Sequence, residues 1–94
     1  MLVRTTPGNP IYNRYGVVSG TASAVQFPTG SALQIRFKAD PDNAEDFFIG
    51  NESNQLFPLD AGDDTGWILA DNLNKFYYSN VSGSAEYLYW WLQV

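Results

Sequence analysis

From Ala32 to Asp40 the chain alternates strictly, with Leu33, Ile35, Phe37 and Ala39 on one side and Gln34, Arg36 and Lys38 on the other. A period of two predicts a strand with one buried and one wet face, because successive side chains on an extended backbone point opposite ways. Asp40-Pro41-Asp42-Asn43 ends it: proline removes a ladder donor, and Asp and Asn bond their own backbone in tight turns. Short apolar runs then recur between turn signals. Phe47-Phe48-Ile49 stops at Gly50-Asn51, Phe57-Pro58-Leu59 follows a polar loop, and Trp67-Ile68-Leu69 follows the Ala61 to Gly66 turn. Asp71-Asn72-Leu73-Asn74 bends the chain into a terminal hairpin.

That hairpin, Lys75 to Val94, carries Phe76, Tyr77, Tyr78, Tyr87, Tyr89, Trp90 and Trp91, nearly half of the chain's aromatic residues, on two runs split by Asn80 to Ser84. In the second run Ala85, Tyr87, Tyr89 and Trp91 face one way, while Glu86, Leu88, Trp90, Leu92 and Val94 face the other. Both faces are mostly apolar. Such a strand is either interior to a two-layer protein or covered on its second face by another molecule.

The beginning of the chain is different. Met1 to Gly30 holds three of the five prolines and four of the eight glycines, and no strand or helix period persists in it. It reads as an extended arm with one short edge strand around Tyr15 to Val18. Ile11, Tyr12 and Tyr15 favour an arm that docks over a solvated tail, which has little use for such side chains. No window shows the i, i+3, i+4, i+7 spacing of a helix, apart from a single turn near Asn43 to Asp46. The prediction is an all-β chain of some six or seven short strands, a small single-domain β-sandwich or jelly-roll-like barrel. Residues 1–23 form the arm and 24–94 the sandwich.

Composition narrows the function. The 94 residues leave room for one domain, and cysteine and histidine are both absent. That removes disulfides, thiolate chemistry, Cys/His zinc sites and imidazole proton shuttles, so no catalytic residue and no cofactor are expected. The formal charge is -5, which disfavours nucleic acid as a partner. Arg4, Arg14, Arg36 and Lys38 precede nine of the ten acids, which lie between Asp40 and Asp71, a segregation suited to docking. No stretch nears the ~20 apolar residues of a membrane span, and Met1 to Pro10 lacks a signal peptide's apolar run, so synthesis in the cytoplasm without secretion is expected.

Three candidate chemistries remain. Asp40 to Asp46 is rich in oxygen ligands, but a calcium loop of that register needs Gly where Glu45 stands and Glu where Asn51 stands, so a solvated acidic turn is the better reading. Asp60, Asp63 and Asp64 read the same way beside Gly62. Paired carboxylates for sugar hydrolysis would need ~5 to 10 Å across a cleft, and nothing in the sequence sets any two acids so. Tyr87, Tyr89 and Trp91 could stack on sugar rings, although the same residues mark protein interfaces.

Taken in order, Val25-Gln26-Phe27-Pro28, Leu33 to Asp40, Phe48-Ile49-Gly50, Phe57-Pro58-Leu59-Asp60-Ala61-Gly62, Asp71 to Tyr77 and the closing Trp90-Trp91-Leu92 resemble a group of small tailed-bacteriophage virion structural proteins, of the capsid decoration or cement type. The resemblance covers Ala24 to Val94, with the Pro-Leu-x-x-Gly turn and the Asp-Asn-Leu-Asn-Lys corner as its most recognisable parts. It implies a non-enzymatic β-sandwich on the surface of the capsid, bound to the major capsid protein and to itself as a homotrimer, with neither nucleic acid nor membrane as partner. A tail or fibre module touching glycans is the alternative. On this reading Arg4, Ile11, Tyr12, Arg14 and Tyr15 of the arm meet the capsid or a sister subunit, and Tyr87, Tyr89, Trp90 and Trp91 form the oligomer interface.

Overall fold

The computed structural model describes residues 14–81 and 86–94. Strands run over β1 Arg14–Ser19, β2 Val25–Gln26, β3 Gln34–Ala39, β4 Phe47–Gly50, β5 Phe57–Leu59, β6 Ile68–Leu69, β7 Tyr77–Asn80 and β8 Tyr87–Gln93. They build two four-stranded sheets, β1-β8-β3-β6 and β2-β7-β4-β5. All pairings are antiparallel. First pairs with last, second with seventh, third with sixth and fourth with fifth, as if one long hairpin had been wrapped into two layers. That wrapping is a jelly roll.

The inward positions follow from the alternation. Ile35, Phe37 and Ala39 of β3 and Leu88 and Leu92 of β8 are sealed from one side, Phe47, Ile49, Leu59 and Tyr78 from the other. Phe27, just past β2, ties the layers together, its ring 5.0 Å from that of Phe37 and 4.6 Å from that of Tyr78. Offset and tilted rings at such distances add to the gain from burial alone.

β1 is the edge strand expected around Tyr15 to Val18, and it pairs with β8 over its whole length, from Arg14 opposite Leu92 to Ser19 opposite Tyr87. Arg14–Ser19, which the composition assigned to the arm ahead of Ala24, is therefore a strand of the β1-β8-β3-β6 sheet. Gly16 explains why the period was hidden. It occupies an inward position opposite Trp90, and a Cβ there would stand 2.4 Å from the indole, so the large ring fills the place of the missing apolar side chain. The earlier part of the arm, with Arg4, Ile11 and Tyr12, lies outside the described residues.

The single helical turn also moves. It forms at Leu73–Lys75, where Asn72 caps it by accepting from the Asn74 N–H and also from the Gly30 N–H, both at 3.0 Å. At Asn43 to Asp46 no turn of helix forms, because the amides there are committed elsewhere. The Ala44 and Glu45 N–H groups both donate to the carboxylate of Glu86, which is only 6% exposed.

Candidate functional site

The outward face of the β1-β8-β3-β6 sheet is where the unexplained aromatic residues gather. Register fixes its rows: Tyr15, Trp91 and Arg36 stand side by side, as do Val17, Tyr89 and Lys38, while Ser19 stands beside Tyr87. Tyr15 is 73% exposed, Val17 52% and Tyr87 44%, so the core does not account for them. Leu69 on β6, exposed at the far edge of the same sheet, stands opposite Gln34, which with Gln93 separates it from the aromatic cluster. Large apolar side chains scattered singly need no explanation, but a contiguous set on one face marks an interaction surface.

Local bonds hold this face in one arrangement. The guanidinium of Arg36 lies 5.5 Å from the centre of the Trp91 ring and also grips the Asp64 carboxylate through Nε and Nη2. That guanidinium holds the Asp64 carboxyl below the usual aspartate range. The Tyr89 hydroxyl donates to Asp40 Oδ2, which lowers the Asp40 pKa and raises that of the tyrosine. Tyr89 and Trp91 are neighbouring rings, 6.5 Å apart with planes inclined at 37°. Tyr87 is clamped through its backbone, its N–H donating to Asn43 Oδ1 while its carbonyl accepts from Asn43 Nδ2 and the Asp40 N–H. Rings fixed before contact lose less rotamer freedom on binding.

The sheet sorts the expected residues. Tyr15, Tyr87, Tyr89 and Trp91 come together on one face. Arg14 is exposed at the start of β1, in the row of Leu92. Trp90, expected beside them at an oligomer interface, belongs to the opposite face: it is half-buried, packed on the core and over Gly16. The reason is the strand's period, which turns every second residue of β8 inward. Arg36, Lys38 and Asp40 join the face although the sequence did not place them beside these aromatic residues. Their signal was present as the wet side of the β3 alternation, but which strand lies beside β3 is decided only by the wrapping.

The acidic segments hold no assembled metal site: among the described residues no three metal-ligating side chains cluster. Asp40 to Asp46 works in the reverse sense to a cation loop, presenting N–H groups to the Glu86 carboxylate. Asp46 and Asp60 share a hydrogen bond, which with desolvation and the nearby Asp63 charge raises the Asp46 pKa. Between the β5 and β6 edges a cleft of 290 Å³ opens toward the core, and among the described residues no carboxylate lines it. Comparisons with known protein families, with curated proteins and with solved structures find no match to this chain.

Proposed function

We propose that this chain is a non-enzymatic adhesive module of a virus particle, a capsid decoration protein of the bacteriophage kind that binds the outside of the shell and holds neighbouring subunits together. The observation that carries the reading is the cluster on a single sheet face of the exposed Tyr15, Val17 and Tyr87 with the half-buried Tyr89 and Trp91. The jelly roll recurs in viral capsid and lectin domains, which supports a surface-binding role by analogy of fold. The lack of histidine and cysteine leaves the usual proton shuttles and thiol nucleophiles unrepresented, in keeping with adhesion rather than turnover.

A decoration protein needs a stiff body and a sticky face, and copies of it arranged about a symmetry axis can make weak footprints durable. The aromatic face would meet a sister subunit in a homotrimer or the major capsid protein, and the segment before Arg14, with Arg4, Ile11 and Tyr12, would reach across the capsid or a sister subunit. The test is to reconstitute phage shells with and without the protein and follow their resistance to heat. Stabilised shells, with the effect lost in a Tyr87→Ser/Trp91→Ser variant that remains folded, are expected; equal melting of bare and decorated shells would refute the reading.

A second reading has its own observation. Tyr89 and Trp91 are adjacent rings beside Lys38, with the Arg36 guanidinium over the Trp91 ring, and a sugar could stack on them once that guanidinium swings aside to hydrogen-bond the sugar hydroxyls. In that case the module belongs to a tail or fibre and touches host glycans. Quenching of tryptophan fluorescence by oligosaccharides, absent in Trp91→Ala, separates this from capsid binding.

A further inference from the structure

We propose that the cleft between β5 and β6 is a binding site for a small apolar carboxylate, an acid whose hydrophobic part is about the size of two fused rings. The site lies on the sandwich edge, away from the aromatic sheet face, so the inference does not rest on the decoration reading.

The opening has a structural cause. β5 has three residues and β6 two, so at this edge the layers are bounded by short strands that leave the space between them accessible. Ile49, Phe57, Ile68 and Phe76 supply its apolar lining, and Phe57 is 57% exposed. An apolar cavity of about 150 Å³ accommodates benzene, so 290 Å³ offers room for a larger ring system even though the cleft is open on one side.

The polar groups at its wall favour an anion. Among the described residues of the lining Lys75 is the single charged one, and its partner Asp71, 3.0 Å away, is an exposed surface carboxylate that lies outside the lining. Such a pair is held weakly and can be shared with a ligand. Asn51 turns its Oδ1 to the N–H groups of Ser53 and Asn54, both at 2.9 Å, so the remaining function of its side chain is its NH₂. This loop is pressed against the end of β4, since a Cβ on Gly50 would fall 1.9 Å from the Asn54 carbonyl oxygen. The Thr65 hydroxyl is already engaged, donating to the Gly66 carbonyl and accepting from the Phe37 N–H. Two donor-bearing side chains, Asn51 and the Asp71-paired Lys75, thus belong to an otherwise apolar lining in which no acid stands among the described residues, which is the complement of a carboxylate on a hydrophobic body able to displace or share the Asp71 pairing.

The experiment is an amide-resolved NMR titration of the full chain with 2-naphthylacetate and, in parallel, with the neutral 2-naphthaleneethanol. Shifts at Gly50, Asn51, Thr65, Ile68 and Phe76 are expected, with the acid bound roughly fivefold more tightly than the alcohol, the upper range for an exposed ion pair. Lys75→Met, a surface change, should bring the acid down to the affinity of the alcohol. Ile68→Trp, which fills the slot, should abolish both while its dispersed spectrum reports a folded chain. Absence of saturable shifts at millimolar ligand, equal affinity of acid and alcohol for the parent protein, or shifts centred on Tyr87, Tyr89 and Trp91 would each overturn the proposal.

Discussion

Replacing Glu86 by alanine removes the acceptor of three donors at once. The side chain enters the sandwich at the start of β8, where one carboxylate oxygen takes the N–H groups of Ala44 and Glu45 and the other takes Asn80 Nδ2 at 3.0 Å. Asn80 is only 3% exposed, so its amide would lose a partner where water scarcely reaches, at a cost of about 1–3 kcal/mol. The two backbone amides sit in a turn that solvent partly reaches, and each adds roughly 0.5–1.5 kcal/mol. The expected loss is about 3 kcal/mol, which for a domain of this size lowers the melting temperature by more than about 10 °C. Urea unfolding followed by the fluorescence of the three tryptophans measures it directly. Glu86→Gln, which keeps the shape and one acceptor oxygen, should lose about half as much. In a double-mutant cycle Glu86→Ala and Asn80→Ala should be non-additive, since each removes the other's partner. A loss under about 0.5 kcal/mol for Glu86→Ala, the size of an ordinary surface change, would refute the view that this carboxylate fastens the Asp40 to Asp46 loop to the sandwich.

Gly16→Ala sets a methyl group against the ring of Trp90 and should cost about 1–3 kcal/mol by overpacking, with a shifted tryptophan emission; an unchanged emission and stability would mean that the ring moves freely. Asp64 and Asp40 both titrate lower in the folded chain than when unfolded, held down by the Arg36 guanidinium and by the Tyr89 hydroxyl respectively. The stability they lend is therefore complete above the ordinary aspartate range and drains away as pH falls through their depressed folded values. Asp46 runs in the opposite sense: its folded pKa is raised, first by the hydrogen bond it shares with Asp60 and then by desolvation and the Asp60 and Asp63 charges, so the stability it lends is present below the ordinary aspartate range and is lost as pH rises through the raised value. Arg36→Met should flatten the acid limb of the stability curve, and an unchanged limb would remove Asp64 from the account. Tyr89→Phe should return the Asp40 carboxyl toward its ordinary pKa in an NMR titration, leaving Asp64 where it was; no movement would show that the hydroxyl is not its main cause.

Alternation and turn chemistry made β3, β4, β5, β7 and β8 legible as extended segments, because each is a local consequence of apolar spacing broken by Pro, Gly, Asn and Asp; the hairpin expected of β7 and β8 does not form, since the two lie in opposite sheets, β7 between β2 and β4 and β8 between β1 and β3, so that each buries one apolar face in the shared core. The lack of helical periodicity excluded every layer architecture except sheet on sheet. β1 was legible only as an edge strand of uncertain company: its inward row contains a glycine whose partner is a tryptophan some seventy residues away, and that relation is not a local pattern. The same holds for the candidate site. The sequence put Tyr87, Tyr89 and Trp91 on one side of a strand, but Tyr15, Arg36 and Asp40 reached them through the wrapping of first strand against last and third strand against last. The role of Glu86 was equally hidden, since a lone acid on an apolar face is only intelligible once the loop amides that surround it are in place. Local chemistry thus determined which residues extend, turn and face inward, whereas the pairing of distant strands, set by burying both apolar layers at once, decided which of the outward residues stand together.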